Sequence, residues 1–505
     1  MLILGVLISV TVLSQRAYCS ESTIIFLDDP VTILFSSWDD EWTPLVNFER
    51  DLFREDYFCN PYTIEVRYEG ESAPYLVFSS WSGGPKWSQF LPSYVLEDVA
   101  YYESDMIEQE FGRDYSLLDR ISVMPAPSKD ETIVHHVLIK KNQMTFPEFK
   151  GLAGRIVRDI NVGWNLGNTF DAHGKWIEDE ENVTAFETAW GNPVTTEEII
   201  LSVKEAGFNA IRIPVTWSQH IDLEYGYKID DEWMDRIKEV VDYVLSQDMY
   251  CIINLHHDTG SGDDSWLNAS RHCLKKEDDK FVSIWRQIAQ TFKAYDARLL
   301  FEGFNEILNL KNQWLYPGES AGYAVNRFNQ LFVDTVRESG GNNRFRCLIV
   351  NPYAAAIDAD SFHDFYLPND AARDSLIVGC HYYYPISYCG EIQEDEYQQR
   401  NWRLMEGEEL MEEKLSLISD RFTSRNIPVI LSECGAANKE NSADRADWVR
   451  SLKQKAQIYG IKCFWWDDGG RMEINPDLDY YKGKALLNRH TKEWVYPDIV
   501  EALVG

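Results

Sequence analysis

The chain has 505 residues, 45% of them hydrophobic and 13% aromatic, which is more than one ordinary core holds, so two folded domains are expected. Its 82 acidic against 48 basic residues give a net charge of −34, which argues against nucleic acid and anionic membrane as partners and suits a soluble enzyme acting on a neutral polymer. Residues 2–13 are apolar but too few to span a bilayer, and no longer apolar run occurs downstream, which excludes a helical integral membrane protein.

In chain order, the first element expected is a signal peptide. Ala17-Tyr18-Cys19 places small residues at the two positions a signal peptidase reads, although Arg16 comes after the apolar run instead of preceding it. Residues 1–19 therefore read as a cleaved leader and the protein as secreted and extracellular. Asn182-Val183-Thr184 and Asn268-Ala269-Ser270 are glycosylation sequons, relevant only in a eukaryotic secretory host.

Residues 20–145 carry short β-branched and aromatic runs such as Thr23-Ile24-Ile25-Phe26 and Tyr75-Leu76-Val77-Phe78. Turn signals separate them, among them Ser82-Gly83-Gly84-Pro85 and Pro125-Ala126-Pro127. This spacing predicts a small all-β sandwich. Trp38, Trp42, Trp81 and Trp87 are candidates to stack on sugar rings from a face of that sandwich. The competing expectation is a scaffold domain with Trp81 and Trp87 buried.

From residue 146 the pattern changes to apolar runs alternating with amphipathic helices. The runs are 160–166, 210–214, 250–255, 299–305, 347–351, 376–381, 428–432 and 462–466. Eight such units in residues 146–505 predict an α/β domain, a (β/α)8 TIM barrel. No Gly-rich phosphate loop succeeds any run, which disfavours a doubly wound sheet. Thr195-Thr196-Glu197-Glu198 reads as a capping box opening a helix that stops at Gly207. A second helix covers 229–245, with Asp230 or Asp231 placed to cap it. Cys251, Cys347, Cys380, Cys434 and Cys463 fall in or beside predicted strands and read as buried thiols, while Cys59, Cys273 and Cys389 lie in less regular sequence. No cysteine or histidine spacing suggests a metal site, so neither metal nor cofactor is expected.

The residues at the C-terminal ends of the runs carry the chemistry. Run two ends in Arg212, run three in His256-His257-Asp258, run four in Asn305-Glu306, run six in His381-Tyr382-Tyr383-Tyr384, run seven in Glu433 and run eight in Trp465-Trp466-Asp467. In a closed barrel these ends converge at the C-terminal mouth. Cleaving a glycosidic bond with retention needs one carboxyl that is protonated at rest and one that is ionised to attack the anomeric carbon. Glu306 is assigned as acid/base and Glu433 as nucleophile. Arg212 can sit beneath the nucleophile, Tyr383 can hydrogen-bond it, and Asn305 can hold the sugar 2-hydroxyl. His256 and His381 can tune the carboxyls or bind hydroxyls, and Trp466 offers a flat face to the ring. Glu302, Asp258 and Asp467 read as supporting or loop residues near the same mouth. Trp217 reads as core, Tyr382 and Tyr384 as packed outward against helices, and Trp190 and Trp266 as candidates to line a cleft.

Residues 147–505 resemble glycoside hydrolase family 5, the retaining β-glycanases that include many cellulases. The resemblance rests on Gly163-Trp164-Asn165-Leu166-Gly167-Asn168-Thr169, Ala210-Ile211-Arg212-Ile213-Pro214, Asn254-Leu255-His256-His257, Phe304-Asn305-Glu306, His381-Tyr382-Tyr383, Leu431-Ser432-Glu433 and Phe464-Trp465-Trp466-Asp467. It implies the strand-four Glu as acid/base and the strand-seven Glu as nucleophile, completed by the Arg, both His, the Tyr and a strand-eight Trp. It leaves His256 against His257, and Trp466 against Trp465, open. The Asn-Glu-Pro of many members reads Asn305-Glu306-Ile307 here. Asn168 in the opening motif, and Trp190 in Thr188-Ala189-Trp190-Gly191-Asn192-Pro193, are similar to the endoglucanase branches more than the mannanase branches. The N-terminal domain resembles non-catalytic carbohydrate-binding modules. The expectation is a monomeric, retaining endo-β-1,4-glucanase with a β-glucan polysaccharide as its partner. Lichenase, xyloglucanase or xylanase activity is the nearest alternative, and a glycan-binding protein without catalysis the more distant one.

Overall fold

The computed structural model divides the chain into two compact units, Met1–Thr145 and Phe146–Gly505. In the first, the described residues are 19–20, 23–27, 31–33, 46–50, 62–70, 72–81, 86–92, 94–96, 98–104, 107, 111, 118–125 and 131–141. In the second they are 149–505 apart from 178–181, 263–264, 272–273, 391–399 and 470–482. The expected leader therefore lies outside the described residues but for Cys19, as do Trp38, Trp42, Cys59 and Cys273.

Two antiparallel sheets form the first unit. One orders its strands Cys19–Ser20, Thr23–Leu27, Thr132–Lys141, Tyr62–Glu69, Val99–Glu103 and Tyr94–Leu96, with Val31–Ile33 also on Thr132–Lys141. The other runs Val46–Glu49, Arg120–Met124, Tyr75–Ser80 and Lys86–Phe90. Alternate residues of both sheets, among them Ile64, Val66, Val137, Leu76, Phe78, Phe90 and Ile121, close one apolar core. The registers Ser79↔Trp87, Arg120↔Ser79 and Arg120↔Glu49 put these residues on the opposite face of the four-stranded sheet.

The second unit is a closed barrel of eight parallel strands: Gly163–Leu166, Ala210–Ile213, Tyr250–Asn254, Leu299–Glu302, Leu348–Val350, Leu376–Tyr382, Val429–Cys434 and Lys462–Asp467. Each predicted run overlaps one of them, and the strands Leu376–Tyr382, Val429–Cys434 and Lys462–Asp467 extend one or two residues past their runs. Strands buried on both faces need apolar residues at nearly every position, which is why the runs are continuous. Ile211, Ile213, Leu299, Phe301, Cys380 and Trp465 point out into the core shared with the helices. Ala210, Ile252, Leu300, Ile377, Ile430 and Phe464 point into the lumen, where the helix Gly151–Asp159 closes the N-terminal end with Ala153, Ile156 and Val157. Gly163 makes room for the inward ring of Phe464, from which a Cβ there would lie 2.0 Å.

The helix Glu197–Glu205 has Thr196, not Thr195, at its N-cap and no side-chain cap hydrogen bond, so the capping box does not form. The backbone N–H of Thr195 is taken instead by the buried carboxylate of Glu187, which also pairs with Arg236. At the helix Asp231–Ser246, Asp230 is the cap and accepts from the Glu232 N–H. Trp217 is fully buried and donates to the Asn254 carbonyl, and Tyr382 packs outward beside Trp448. Cys389, which carries no regular signal in the sequence, is buried in the short helix Ile386–Cys389. Among the described residues no helix is long and apolar enough to cross a membrane.

Candidate active site

Above the apolar plug the lumen turns polar within two residues. Continuing the inward alternation from Ala210, Ile252 and Leu300 brings Arg212, Asn254 and Glu302 into the barrel. Arg212 is the hub. Its Nε donates to Glu302 Oε2 at 2.6 Å, Nη1 to Asn165 Oδ1 at 3.0 Å and to Glu433 Oε1 at 2.7 Å, and Nη2 to Asn305 Oδ1 at 2.8 Å. Glu302 is fully buried and further held by Asn254 Nδ2 at 3.0 Å and Asn351 Nδ2 at 2.9 Å. A buried carboxylate with this many donors is fixed in place, and through the guanidinium it fixes Glu433 and Asn305.

Glu433 would not face the lumen under simple alternation. Ile430 points in, so Ser432 would be the next inward residue and Glu433 would point out. The pairing of strands seven and eight shifts register between Leu431 and Cys434, and that irregularity turns the carboxylate inward. The Tyr383 hydroxyl donates to Glu433 Oε2 at 2.8 Å. Lys484 Nζ lies 5.6 Å from the centre of the Tyr383 ring. Between the two glutamates lies His381 Nδ1, 2.8 Å from Glu306 Oε1 and 3.5 Å from Glu433 Oε2. One oxygen of each glutamate and a nitrogen of His381 all lie within 4.8 Å of one another. Burial works against the charged imidazole of His381, but Glu433 and Glu306 outweigh it and its pKa is raised above the ordinary value.

His256 behaves oppositely. Burial, with His257, Arg212 and His381 nearby, lowers its pKa well below the ordinary value, so it is neutral. The Asn254 amide is oriented by its Oδ1, which accepts from the Val215 N–H, so its NH2 faces His256 Nδ1 at 3.3 Å. That assigns the proton of His256 to Nε2. Trp466 stacks on His256 with ring centres 5.5 Å apart and planes 9° from parallel, while Trp465 is buried outside the barrel near Trp448. Both ambiguities of the sequence thus resolve to His256 and Trp466 as the inward members.

His257 is half-exposed and belongs to a neighbouring cluster. Its ring centre lies 4.8 Å from His173 and 5.7 Å from Trp190, with Nε2 3.7 Å from the buried Asp171 Oδ2. Trp190 and His173 therefore extend the aromatic wall outward from Trp466. Asn168 sits at the end of strand one with φ +56°, its carbonyl held by Asn192 Nδ2 at 2.8 Å. That left-handed turn, which Asn tolerates, accounts for its place in the motif. Asp258 holds the Trp217 N–H and Trp266 Nε1, and Asp467 ties down Leu486, Leu487 and Arg489, so both are supports.

Glu302 is a support, as expected from the sequence, whereas Asn165, Asn254, Asn351 and His173 were not singled out there. Alternation counted inward from Ile252 and Leu300 signals Asn254 and Glu302. His173 lies in a loop, where no period applies. Among the described residues, the groups whose spacing could hold a cation, Asp171 with His256 and His257 and Glu306 with His381 and Glu433, belong to this same mouth and its neighbouring cluster. On the outer face of the first unit, Trp81 is 54% exposed and Trp87 56%, with the Arg120 guanidinium 4.8 Å from the Trp81 ring centre. The scaffold expectation, in which both rings are buried, does not hold.

Residues 170–471 match the cellulase model of glycosyl hydrolase family 5, and residues 35–137 match carbohydrate binding module 65 domain 1. The Acetivibrio thermocellus protein named Cellulase/esterase CelE is 39% identical over 353 residues, covering 69% of this chain and 40% of that protein. A solved GH5-4 broad specificity endoglucanase from Ruminococcus champanellensis with bound cellotriose is 37% identical, with a TM-score of 0.63 over 69% of this chain and 97% of that one. XEG5A, a GH5 xyloglucan-specific endo-beta-1,4-glucanase from a metagenomic library in complex with cellotriose, is 35% identical, with a TM-score of 0.62 over 69% and 97%. The chain belongs to glycosyl hydrolase family 5.

Proposed function

We infer that this protein is a retaining endo-β-1,4-glucanase whose N-terminal unit holds the polymer for the barrel. The observation that carries the reading is the 4.8 Å limit on the separation of the Glu306 and Glu433 oxygens. Retaining enzymes place their carboxyls roughly 5 Å apart, whereas inverting ones leave about 6.5–9.5 Å for a water between them. Glu433, its two oxygens held by Arg212 and Tyr383, attacks the anomeric carbon. Glu306 protonates the departing oxygen, then takes a proton from the water that releases the sugar. Asn305 presents its NH2 to the 2-hydroxyl because Arg212 occupies its Oδ1, and the ring rests on Trp466. A proton NMR time course on cellotetraose tests this. The first new reducing end should be the β anomer, and an α anomer first, or no cleavage, would overturn the reading. Hydrolysis of lichenan, xyloglucan and xylan in parallel separates the specificities of its relatives. Because such polymers do not enter cells, we propose that the protein acts outside the cell as a monomer. Retention of a tagged chain in the cell pellet, or a dimer mass in solution, would contradict that.

A further inference from the structure

We propose a second glucan-binding site on the flank of the barrel, separate from the cleft, between the helix Glu319–Glu338 and the chain around the helix Ala359–Asp364. A hollow of about 760 Å³ lies there, lined by Arg271, Tyr323, Asn326, Gln330, His363 and Tyr366 among others. Its volume is that of a small-molecule site, roughly 300–1,000 Å³. Two tyrosines furnish the stacking surface, Tyr323 being 48% exposed and Tyr366 64%. The Arg271 guanidinium lies 4.4 Å from the Tyr323 ring centre and offers donors beside it.

The segment carrying Tyr366 is clamped. Asn326 Nδ2 donates to the Asp364 carbonyl at 2.7 Å, and its Oδ1 accepts from the Tyr366 N–H at 2.9 Å. One turn further on, Gln330 accepts from the Asn369 N–H at 2.8 Å and donates to the Asn369 carbonyl at 3.0 Å. Residues 364–369 are thus zipped to the long helix by two side-chain amides, which holds an exposed aromatic ring on a fixed backbone. Preorganisation of this kind reduces the ordering cost of binding.

The charges set the ligand class. Arg327 is engaged by Asp278, and Glu319 and Asp334 face the same hollow, so there is no surplus of positive charge to hold an anion. Aromatic rings flanked by balanced polar groups suit a neutral polyhydroxyl chain. A β-1,4-glucan, whose sugar faces present axial C–H bonds, is the member of that class on which this enzyme acts, and the proposal rests on that reading.

The test uses the full chain with Glu433→Gln to stop turnover and Trp81→Ala, Trp87→Ala to silence the sandwich face. Affinity electrophoresis in hydroxyethylcellulose compares this protein with one also carrying Tyr323→Ala and Tyr366→Ala. Loss of two stacking rings should weaken retention by roughly fivefold or more. In the otherwise native chain the two tyrosine substitutions should leave cellotetraose turnover unchanged. Unaltered retention would overturn the site, and so would a parallel loss of cellotetraose turnover, which would signal a general disturbance. Absence of hydrolysis by the native protein would instead overturn the proposed function, so the two failures are distinguishable.

Discussion

The barrel mouth and the outer face of the N-terminal sheet, the two regions assigned to the polymer in the proposed function, are built of opposite materials. At the mouth, Arg212 and Glu302 are wholly buried and Glu433 nearly so, with the guanidinium bonded to both carboxylates. On the sheet, Trp81 and Trp87 are more than half exposed. Bond cleavage requires charges that are aimed before the reaction and shielded from water. Adhesion requires only flat apolar area, to which a sugar brings its own hydrogen-bonding water. On the proposed function, the buried ionisable network serves the chemistry and the exposed rings serve capture.

The sharpest way to break this contrast is at Glu433. Glu433→Ala should lower kcat on cellotetraose by a factor on the order of 10⁴, since no other group at the mouth can form the covalent bond. Azide should restore turnover through the vacated space and give product of inverted configuration. Recovery of a retained product, or no recovery, would remove Glu433 from the nucleophile's role. The same substitution should leave retention on a glucan gel dominated by the N-terminal face.

Arg212→Met should cost the barrel about 3–5 kcal/mol, because Glu302 and Glu433 would remain buried without their cation. Chemical denaturation of the barrel transition measures this. Adding Glu302→Gln should recover part of the loss, and a fully additive double variant would show that the pair is not coupled. No substitution on the exposed sheet face should approach this size.

The distinction between these two regions was only partly legible in the sequence. The eight strands were legible because burial on both faces leaves continuous apolar runs, and Glu306 and Glu433 because they end such runs. Alternation from Ile252 and Phe464 also points His256 and Trp466 inward, so those pairs were decidable. The inward turn of Glu433 was not, because it depends on a register shift between strands that no local pattern announces. Glu302 was legible as a supporting or loop residue, but its partner was not, because Arg212 lies 90 residues earlier and meets it only in the closed barrel. The sandwich tryptophans were visible as residues, but their exposure depends on which side of the sheet the core occupies.

A smaller effect is expected from the charge on His381. Its folded pKa is raised, so its protonation stabilises the fold fully below the unfolded value of about 6.5 and the contribution fades as pH rises through the folded value. His381→Gln should therefore lose most stability relative to the native protein near about pH 5.5 and least near about pH 8.5. A difference that stays constant with pH would show that the imidazole between Glu306 and Glu433 is neutral when folded, and would leave Arg212 as the cation that balances both Glu302 and Glu433.

The smallest effect tests the other side of the contrast. Trp81→Ala and Trp87→Ala each remove an exposed ring that makes no core contact, so folding should be unaffected. A stacking ring contributes about 0.5–1.5 kcal/mol, which corresponds to a loss of roughly two- to tenfold in affinity for hydroxyethylcellulose per substitution. Turnover of cellotetraose, too short to need capture, should not change, while hydrolysis of a long glucan at low concentration should slow. If instead each substitution lowered cellotetraose turnover, the sheet face would have to act in the chemistry, and exposure would no longer separate capture from catalysis in this molecule.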